Sequence, residues 1–427
     1  MQLNTTLPDL SALIRPGDGI IWGQATAEPT TLVAAVLAQR ALFSQAQVFL
    51  GVNFAGLTLP EHADHLLFSS YCGAGANRAL ADAGVLDIFP LPYSLLGQAI
   101  TRGQIKADVV MLQVAPPNAQ GEYSIGLSTE YLIPALAKAR VVIAEVNPRL
   151  PWVHTEKRLR REDFSLLIDT NTDPIALPYG APGDIERRIA RNAAQFVPDG
   201  ATLEFGLGSL PIAVLESLAD RRDLGIHSGI VCDTVAQLTE AGVITNAMKE
   251  IDRGVSVGGI LFGTANLYRW AHNNPALRLM SSDYTHSPRI LGQLHRFVAI
   301  NSAVEVDLTG QVNAEIIQDK VGRASYAGAV GGALDFIRAA NHSPGGCSII
   351  ALPASIGGKI SRIVHRINAP IATPRSEAGV FVTEWGVADL RGLSLNARIP
   401  KMIAIAHPDL RESLERAAKA SGWSGRA

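Results

Sequence analysis

Asp18–Ala38 reads DGIIWGQATAEPTTLVAAVLA, and Asp199–Ala219 reads DGATLEFGLGSLPIAVLESLA. Each copy follows a proline, Pro16 or Pro198. Each then runs through a short apolar strand, a glycine-bearing loop and a proline near the start of a Leu/Val/Ala-rich helix. Proline is tolerated there because the first N–H groups of a helix have no intrahelical partner. The copies lie far beyond a solenoid period of roughly 20–50 residues, so they read as two related α/β halves. Outward from them the alternation continues, with strands expected at Gln47–Leu50, Ala107–Val114 and Ala139–Val146 and a helix at Thr31–Arg40. Buried strands alternating with helices predict parallel sheets covered on both faces. The fold class is therefore α/β, two open domains related by an internal repeat. The Pro- and Gly-rich stretch Pro174–Asp184 (PIALPYGAPGD) is the expected boundary, giving domains over 1–180 and 185–427.

Composition narrows the function. The 427 residues are 47% hydrophobic, which excludes a disordered chain, and the net charge of −2 carries no runs of one sign. That balance argues against nucleic acid or an anionic membrane as partner. Cys72, Cys232 and Cys347 are too far apart for a disulfide framework or a CxxC metal site. No signal peptide and no apolar run of ~18 residues is visible, so the expectation is a cytoplasmic protein without a spanning helix.

Several stretches could carry chemistry. Gly206-Leu207-Gly208 stands between a strand and a helix, where backbone N–H groups can hold an anion, although a tight turn needs the same glycines. Glu204 ends the apolar strand just before it, where an ionised carboxylate is costly to bury. Tyr326–Phe336 (YAGAVGGALDF) brings Gly331 and Gly332 to a second helix start. Thr383–Gly392 (TEWGVADLRG) groups Glu384, Asp389 and Arg391 as either a site or a structural ion-pair cluster. Lys359–Arg366 (KISRIVHR) alternates apolar and basic residues, reading as a strand with a solvated face or one offering Arg362, His365 and Arg366 to phosphates. The turn-rich run Pro116–Ser128 (PPNAQGEYSIGLS) reads as a ligand-side loop. Neither His154 nor His227 has a partner at metal-ligand spacing, so no metal is expected.

In order along the chain, the Gly23–Pro29 loop, PPNAQGEYSIGLS, IAEVNPRLP (143–151), Asp199–Pro211, Leu224–Asn246, Asn301–Asn313, Ala329–Phe336, Ser361–Val364 and Val382–Gly392 resemble the acetyl-CoA hydrolase/transferase family. The resemblance implies two CoA-transferase-like domains, a homo-oligomer, commonly a dimer, and an acyl-CoA thioester lying between the domains. CoA would be a co-substrate, with a small carboxylate as acceptor and no tightly bound cofactor. It further implies attack by a glutamate on the thioester, an acyl-glutamyl anhydride, and then a glutamyl-CoA thioester. Oxyanion donors would come from the backbone around Leu207 and Gly208 and around Gly331 and Gly332. Arg362 and Arg366 would be candidates for the CoA phosphates.

The sequence departs from the family where it matters most. The family's nucleophile is the Glu of a His-Thr/Ser-Glu stretch after Leu-Gly-Ile, and this chain reads Leu224-Gly225-Ile226-His227-Ser228-Gly229. Gly229 has no side chain to attack with. Glu204 stands where relatives usually carry glutamine, so the expectation is a carboxylate relocated to Glu204. The alternatives are a positioning role for Glu204, or general-base action by Glu204 or Glu384 on water. The corresponding functions are CoA transfer, acyl-CoA hydrolysis, or CoA binding without catalysis. Cys232, three residues past Gly229, reads as a buried structural thiol.

Overall fold

A computed structural model describes residues 7–178, 180–318 and 322–422. The chain forms two compact units, each built on its own parallel sheet. The first unit is Met1–Pro178, Ile230–Asp233 and Ser256–Ser287; the second is Tyr179–Gly229, Thr234–Val255 and Pro288–Ala427. This differs from a continuous 185–427 domain, because two later segments return to the first unit. They pair with each other, Ile230–Val231 running parallel with Ile260–Leu261 and Ser256–Gly258 with Leu277–Leu279, and bridges of Ile260 to Ser128, Ser281 to Glu130 and Leu279 to Thr155 tie them to the rest of the first unit. The amide of Leu261 also donates to the carbonyl of Leu127, at the end of the PPNAQGEYSIGLS run.

The first unit's sheet has seven parallel strands, β1 (Gly19–Trp22), β2 (Ala46–Leu50), β3 (Leu66–Ser70), β4 (Leu86–Ile88), β5 (Val109–Val114), β6 (Val141–Val146) and β7 (Leu166–Asp169). Their order is β4-β3-β2-β1-β5-β6-β7. Every residue of β1 and β5 is buried, as continuous apolar runs in a doubly covered sheet should be. The helix of the first repeat copy is α1 (Thr30–Ala38), which starts at Pro29 without a local side-chain cap. Glu145 on β6 supplies one instead, accepting the Leu32 N–H at 2.8 Å. Burial pushes that carboxyl up to about 7.

In the second unit, the six strands are β8 (Thr202–Phe205), β9 (Gly225–Ile226), β10 (Phe297–Ser302), β11 (Cys347–Ala351), β12 (Val380–Thr383) and β13 (Gly386–Asp389). They lie in the order β13-β12-β11-β10-β8-β9, and only β13 is antiparallel. Helix α2 (Ser209–Glu216) follows β8, and α3 (Ala333–His342) precedes β11. The repeat is thus visible in topology. Each copy contributes the first strand and helix of its sheet, and that strand sits between its successor and a later strand, β5 or β10. From β8 the chain proceeds to β9 on one side, whereas from β10 it proceeds to β11 on the other. Where connections part in this way, the carboxyl ends of the two strands leave a crevice that α/β proteins use for ligands.

Candidate functional site

Glu204 and Asn301 stand at the carboxyl ends of β8 and β10, on the two sides of that parting. Glu204 is 3% exposed and Asn301 5%. Register pairs Glu204 with Ala299, bringing Asn301 within reach, and its Nδ2 donates to Glu204 Oε2 at 2.8 Å. Among the described residues this is the only side-chain partner of the carboxylate. Burial dominates and pushes the Glu204 carboxyl up to about 8, while the Asn301 hydrogen bond pulls the other way. A lone acid at the end of the strand TLEF was the legible signal, and the structure buries it.

The loop after Glu204 is built for close approach. A Cβ on Gly206 would lie 2.7 Å from Asn301 Oδ1, so a side chain there would displace the asparagine. Gly208, the residue capping α2, has φ 125° and ψ 165°, a conformation open essentially to glycine alone. Leu207 between them is exposed. Among the described residues, the N–H groups of Leu207 and Gly208 donate to no protein acceptor. Together with the unpaired first N–H groups of α2, they form a set of donors beside Glu204.

Other sequence candidates gather at the same edge of the sheet. The amide of His227 donates to the carbonyl of Leu203, extending the β8–β9 pairing, and Ser228 Oγ lies 3.4 Å from the carbonyl of Phe205. Gly229 therefore follows directly beside the end of β8. Beneath this segment Lys249, fully buried, donates through Nζ to the carbonyls of Ile226 (2.9 Å) and Val255 (2.7 Å). Ser343, just past the end of α3, receives the Phe297 N–H at the start of β10. The opposite end of α3, with Gly331 and Gly332, thus points to the carboxyl edge. Glu384 follows β12, and its Oε2 accepts the Ala354 N–H at 2.9 Å, just past β11. Arg362 is half-buried and faces the Glu384 charge; burial lowers its pKa and Glu384 opposes the shift.

Two expectations need correction. Glu384, Asp389 and Arg391 do not form one cluster, because β12 and β13 are an antiparallel hairpin. Asp389 lies opposite Val380, at the amino end of β12, a strand length from Glu384. There it forms a bidentate ion pair with Arg391 (2.7 and 2.9 Å), which holds its carboxyl below the usual range. Lys359–Arg366 is not one strand but two short ones, Ile360–Ser361 and Ile363–Val364, broken at Arg362, while Arg366 is exposed. Cys232 is fully buried, as its reading as a structural thiol expects.

Asn301 and Lys249 were not found from sequence. Asn301 sits in an ordinary NSAV stretch and matters only through strand register. Lys249 lies in NAMKE, a stretch with no pattern that marks a buried lysine. The corresponding place in the first unit is closed by its own groups. Gln24 Nε2 donates to Tyr93 Oη (2.8 Å) and to Glu130, and its Oε1 accepts from Tyr71 Oη and the Val52 N–H. No group of three or more metal-ligating side chains occurs among the described residues. Among them, no helix is long and apolar enough to cross a membrane.

Comparison with known proteins agrees with this architecture. Residues 5–165 match the acetyl-CoA hydrolase/transferase N-terminal domain, and residues 263–418 match the C-terminal domain. The chain is 35% identical to 4-hydroxybutyrate coenzyme A transferase of Clostridium kluyveri over 92% of each protein. It is 31% identical to butyryl-CoA:acetate CoA-transferase of Anaerostipes caccae, over 98% of this chain and 96% of that one. The crystal structure of RipA from Yersinia pestis superposes with a TM-score of 0.91 at 31% identity, over 97% of this chain and 96% of that one. With both domains matched in order along nearly the whole length, the chain belongs to the acetyl-CoA hydrolase/transferase family.

Proposed function

We propose that this protein is a CoA-transferase moving CoA from a short acyl-CoA to a small carboxylate, with Glu204 as the attacking group. The observation that carries the reading is Glu204 itself. It is a buried carboxylate at the parting of two strands, held by one donor, beside a glycine loop with free N–H groups. Gly229 offers no side chain, so Glu204 is the carboxylate of this edge that can take the place of the family's glutamate. The relatives' names attach CoA transfer to 4-hydroxybutyrate, butyrate and acetate, and we assign acceptors of that class.

In the mechanism, ionised Glu204 attacks the thioester carbonyl, and the oxyanion is received by the amides of Leu207 and Gly208. Gly331 and Gly332 supply a second pair of amides from the start of α3. Collapse expels CoA thiolate and leaves an acyl-glutamyl anhydride. The thiolate then attacks the glutamyl carbonyl, releasing the first carboxylate and forming a glutamyl-CoA thioester. The acceptor carboxylate attacks that thioester, and thiolate returns to the new acyl carbonyl, regenerating Glu204. Each bond formed replaces one broken, and no step consumes water. Attack requires roughly 3–3.5 Å between the carboxylate oxygen and the carbonyl carbon. Each oxyanion donor of this kind contributes about 3–4 kcal/mol to the transition state. Arg362 and Arg366 bring positive charge for the CoA phosphates. Glu384, through Ala354, holds the segment that carries Arg362.

A second reading is favoured by one observation, the Glu204 carboxyl near 8. A group with that pKa suits a general base acting on water near neutral pH, which would make the protein an acyl-CoA hydrolase. The two separate in one assay with acetyl-CoA, with and without a carboxylate acceptor. Transfer predicts new acyl-CoA without net thiol; hydrolysis predicts thiol release with no acceptor. In either case Glu204→Gln should lower turnover by about 10³-fold or more. A variant with full transferase activity would remove Glu204 from the chemistry.

A further inference from the structure

Helix α1 of the first unit begins with one rung of its hydrogen-bond ladder left open. In a regular helix the Leu32 N–H would donate to the Glu28 carbonyl, four residues back. Two side chains of the sheet fill that rung instead. Gln113 Nε2 on β5 donates to the Glu28 carbonyl at 2.5 Å, and Glu145 Oε1 on β6 accepts the Leu32 N–H at 2.8 Å. The regular ladder starts one residue later, with the Val33 N–H on the Pro29 carbonyl. Gln113 and Glu145 are register partners on neighbouring parallel strands, so their side chains rise side by side from one face of the sheet. Both are buried.

These bonds fix what is left over. With Nε2 committed to Glu28, Gln113 has only Oε1 to present to its neighbour; with Oε1 committed to Leu32, Glu145 has only Oε2. Both oxygens are buried, and neither has a hydrogen-bond partner among the described residues. Two buried acceptors side by side without a donor are costly, and one proton on Glu145 Oε2 satisfies both. Burial raises the Glu145 carboxyl, the Leu32 and Thr31 amides pull the other way, and no charged side chain contributes. Helix α1 carries no titratable side chain. Glu28, on the turn before it, directs its carboxyl to the Phe54 and Ala55 amides (2.5 and 3.1 Å). On β7, Asp169 pairs with Val146, on the opposite face of the sheet.

We propose that Glu145 is a neutral acid whose hydroxyl donates to Gln113 Oε1, and that this proton latches the start of α1 to the sheet. The chain of bonds runs from the Leu32 N–H to Glu145, from the Glu145 O–H to Gln113, and from the Gln113 N–H to the Glu28 carbonyl. Through the Glu28 carboxyl it reaches the Phe54 and Ala55 amides, so one proton braces both the Gly23–Pro29 turn and the loop after β2. Loss of the proton sets an anion against Gln113 Oε1. Gln113 then meets it only by turning Nε2 away from Glu28, which opens the latch. The folded chain keeps this proton up to about 7, whereas an unperturbed glutamate releases it near 4.5. The latch is therefore unpenalised below 4.5 and weakens as pH rises to 7. Nothing in it depends on the transfer reaction.

Glu145→Gln is the test, because glutamine accepts the Leu32 N–H and donates to Gln113 at every pH. Hydrogen exchange of peptides covering residues 29–37 is read by mass spectrometry in wild type and variant at pH 5 and 7, corrected for the intrinsic rate at each pH. Glu28 titrates in both proteins and cancels. Protection in the wild type relative to the variant should fall by about tenfold or more from pH 5 to 7. An unchanged ratio overturns the latch. Infrared difference spectra at pH 6 should show, in the wild type only, the carbonyl stretch of a neutral carboxylic acid. Its absence means an ionised Glu145 with a water between the two oxygens, and overturns the proposal. A variant that fails to fold contradicts it as well, since glutamine reproduces every hydrogen bond of the neutral acid.

Discussion

Replacing Glu204 with glutamine should change how stability depends on pH, and the sign and size follow from the burial of this side chain. The folded carboxyl lies near 8, against 4.5 for the unperturbed group. Between those values the folded chain holds a proton that the unfolded chain has released. Unfolding free energy then falls as pH rises, by about 1.4 kcal/mol per pH unit from this one group. The penalty is absent below pH 4.5 and complete above 8. Glutamine keeps the shape and the Asn301 neighbour but does not titrate. Urea midpoints of wild type and Glu204→Gln, measured by tryptophan fluorescence at pH 5.5, 6.5 and 7.5, isolate the effect. The buried Glu28, Glu130 and Glu145, each pushed up to about 7, are present in both proteins and cancel. From pH 5.5 to 7.5 the variant should gain about 2–3 kcal/mol relative to wild type. A difference that does not change with pH would mean that Glu204 is ionised throughout, and the buried-carboxylate argument would fail.

Other consequences are equally direct. In the wild type, only about a tenth of Glu204 is ionised at pH 7, so kcat/KM should rise with pH and level off above about 8. Asn301→Ala removes the one hydrogen bond that favours the ionised form, so the midpoint of that profile should move upward, and stability should drop by about 1–3 kcal/mol. Gly206→Ala places a methyl where Asn301 Oδ1 now sits, and should shift the profile in the same direction by expelling the asparagine. Arg391→Ala breaks an ion pair whose partners are 44% and 37% exposed; stability should change by less than about 1 kcal/mol and transfer should be unaffected.

These positions also show what a sequence can and cannot convey. The two repeat copies were legible because β1 and β8 are continuous apolar runs, and such runs belong in sheets covered on both faces. Glu204 was legible for the complementary reason, as an acid inside one of those runs. Asn301 was not, because its role depends on the register of β10 against β8, 97 residues away in sequence. Asp389 and Arg391 were grouped with Glu384 by proximity along the chain, but a hairpin turns at Glu384–Trp385 and carries them to the other edge. The return of residues 230–233 and 256–287 to the first unit is built from isolated bridges and strands of two or three residues, too short to leave any periodicity.

The most direct test of the account is to incubate the protein with acetyl-CoA, trap with hydroxylamine and map the product by peptide mass spectrometry. Hydroxylamine converts a glutamyl anhydride or thioester into a hydroxamate at the residue that formed it. The account predicts a hydroxamate on Glu204, abolished in Glu204→Gln. Steady release of thiol with no hydroxamate at Glu204, or a hydroxamate on another carboxylate such as Glu384, would contradict it.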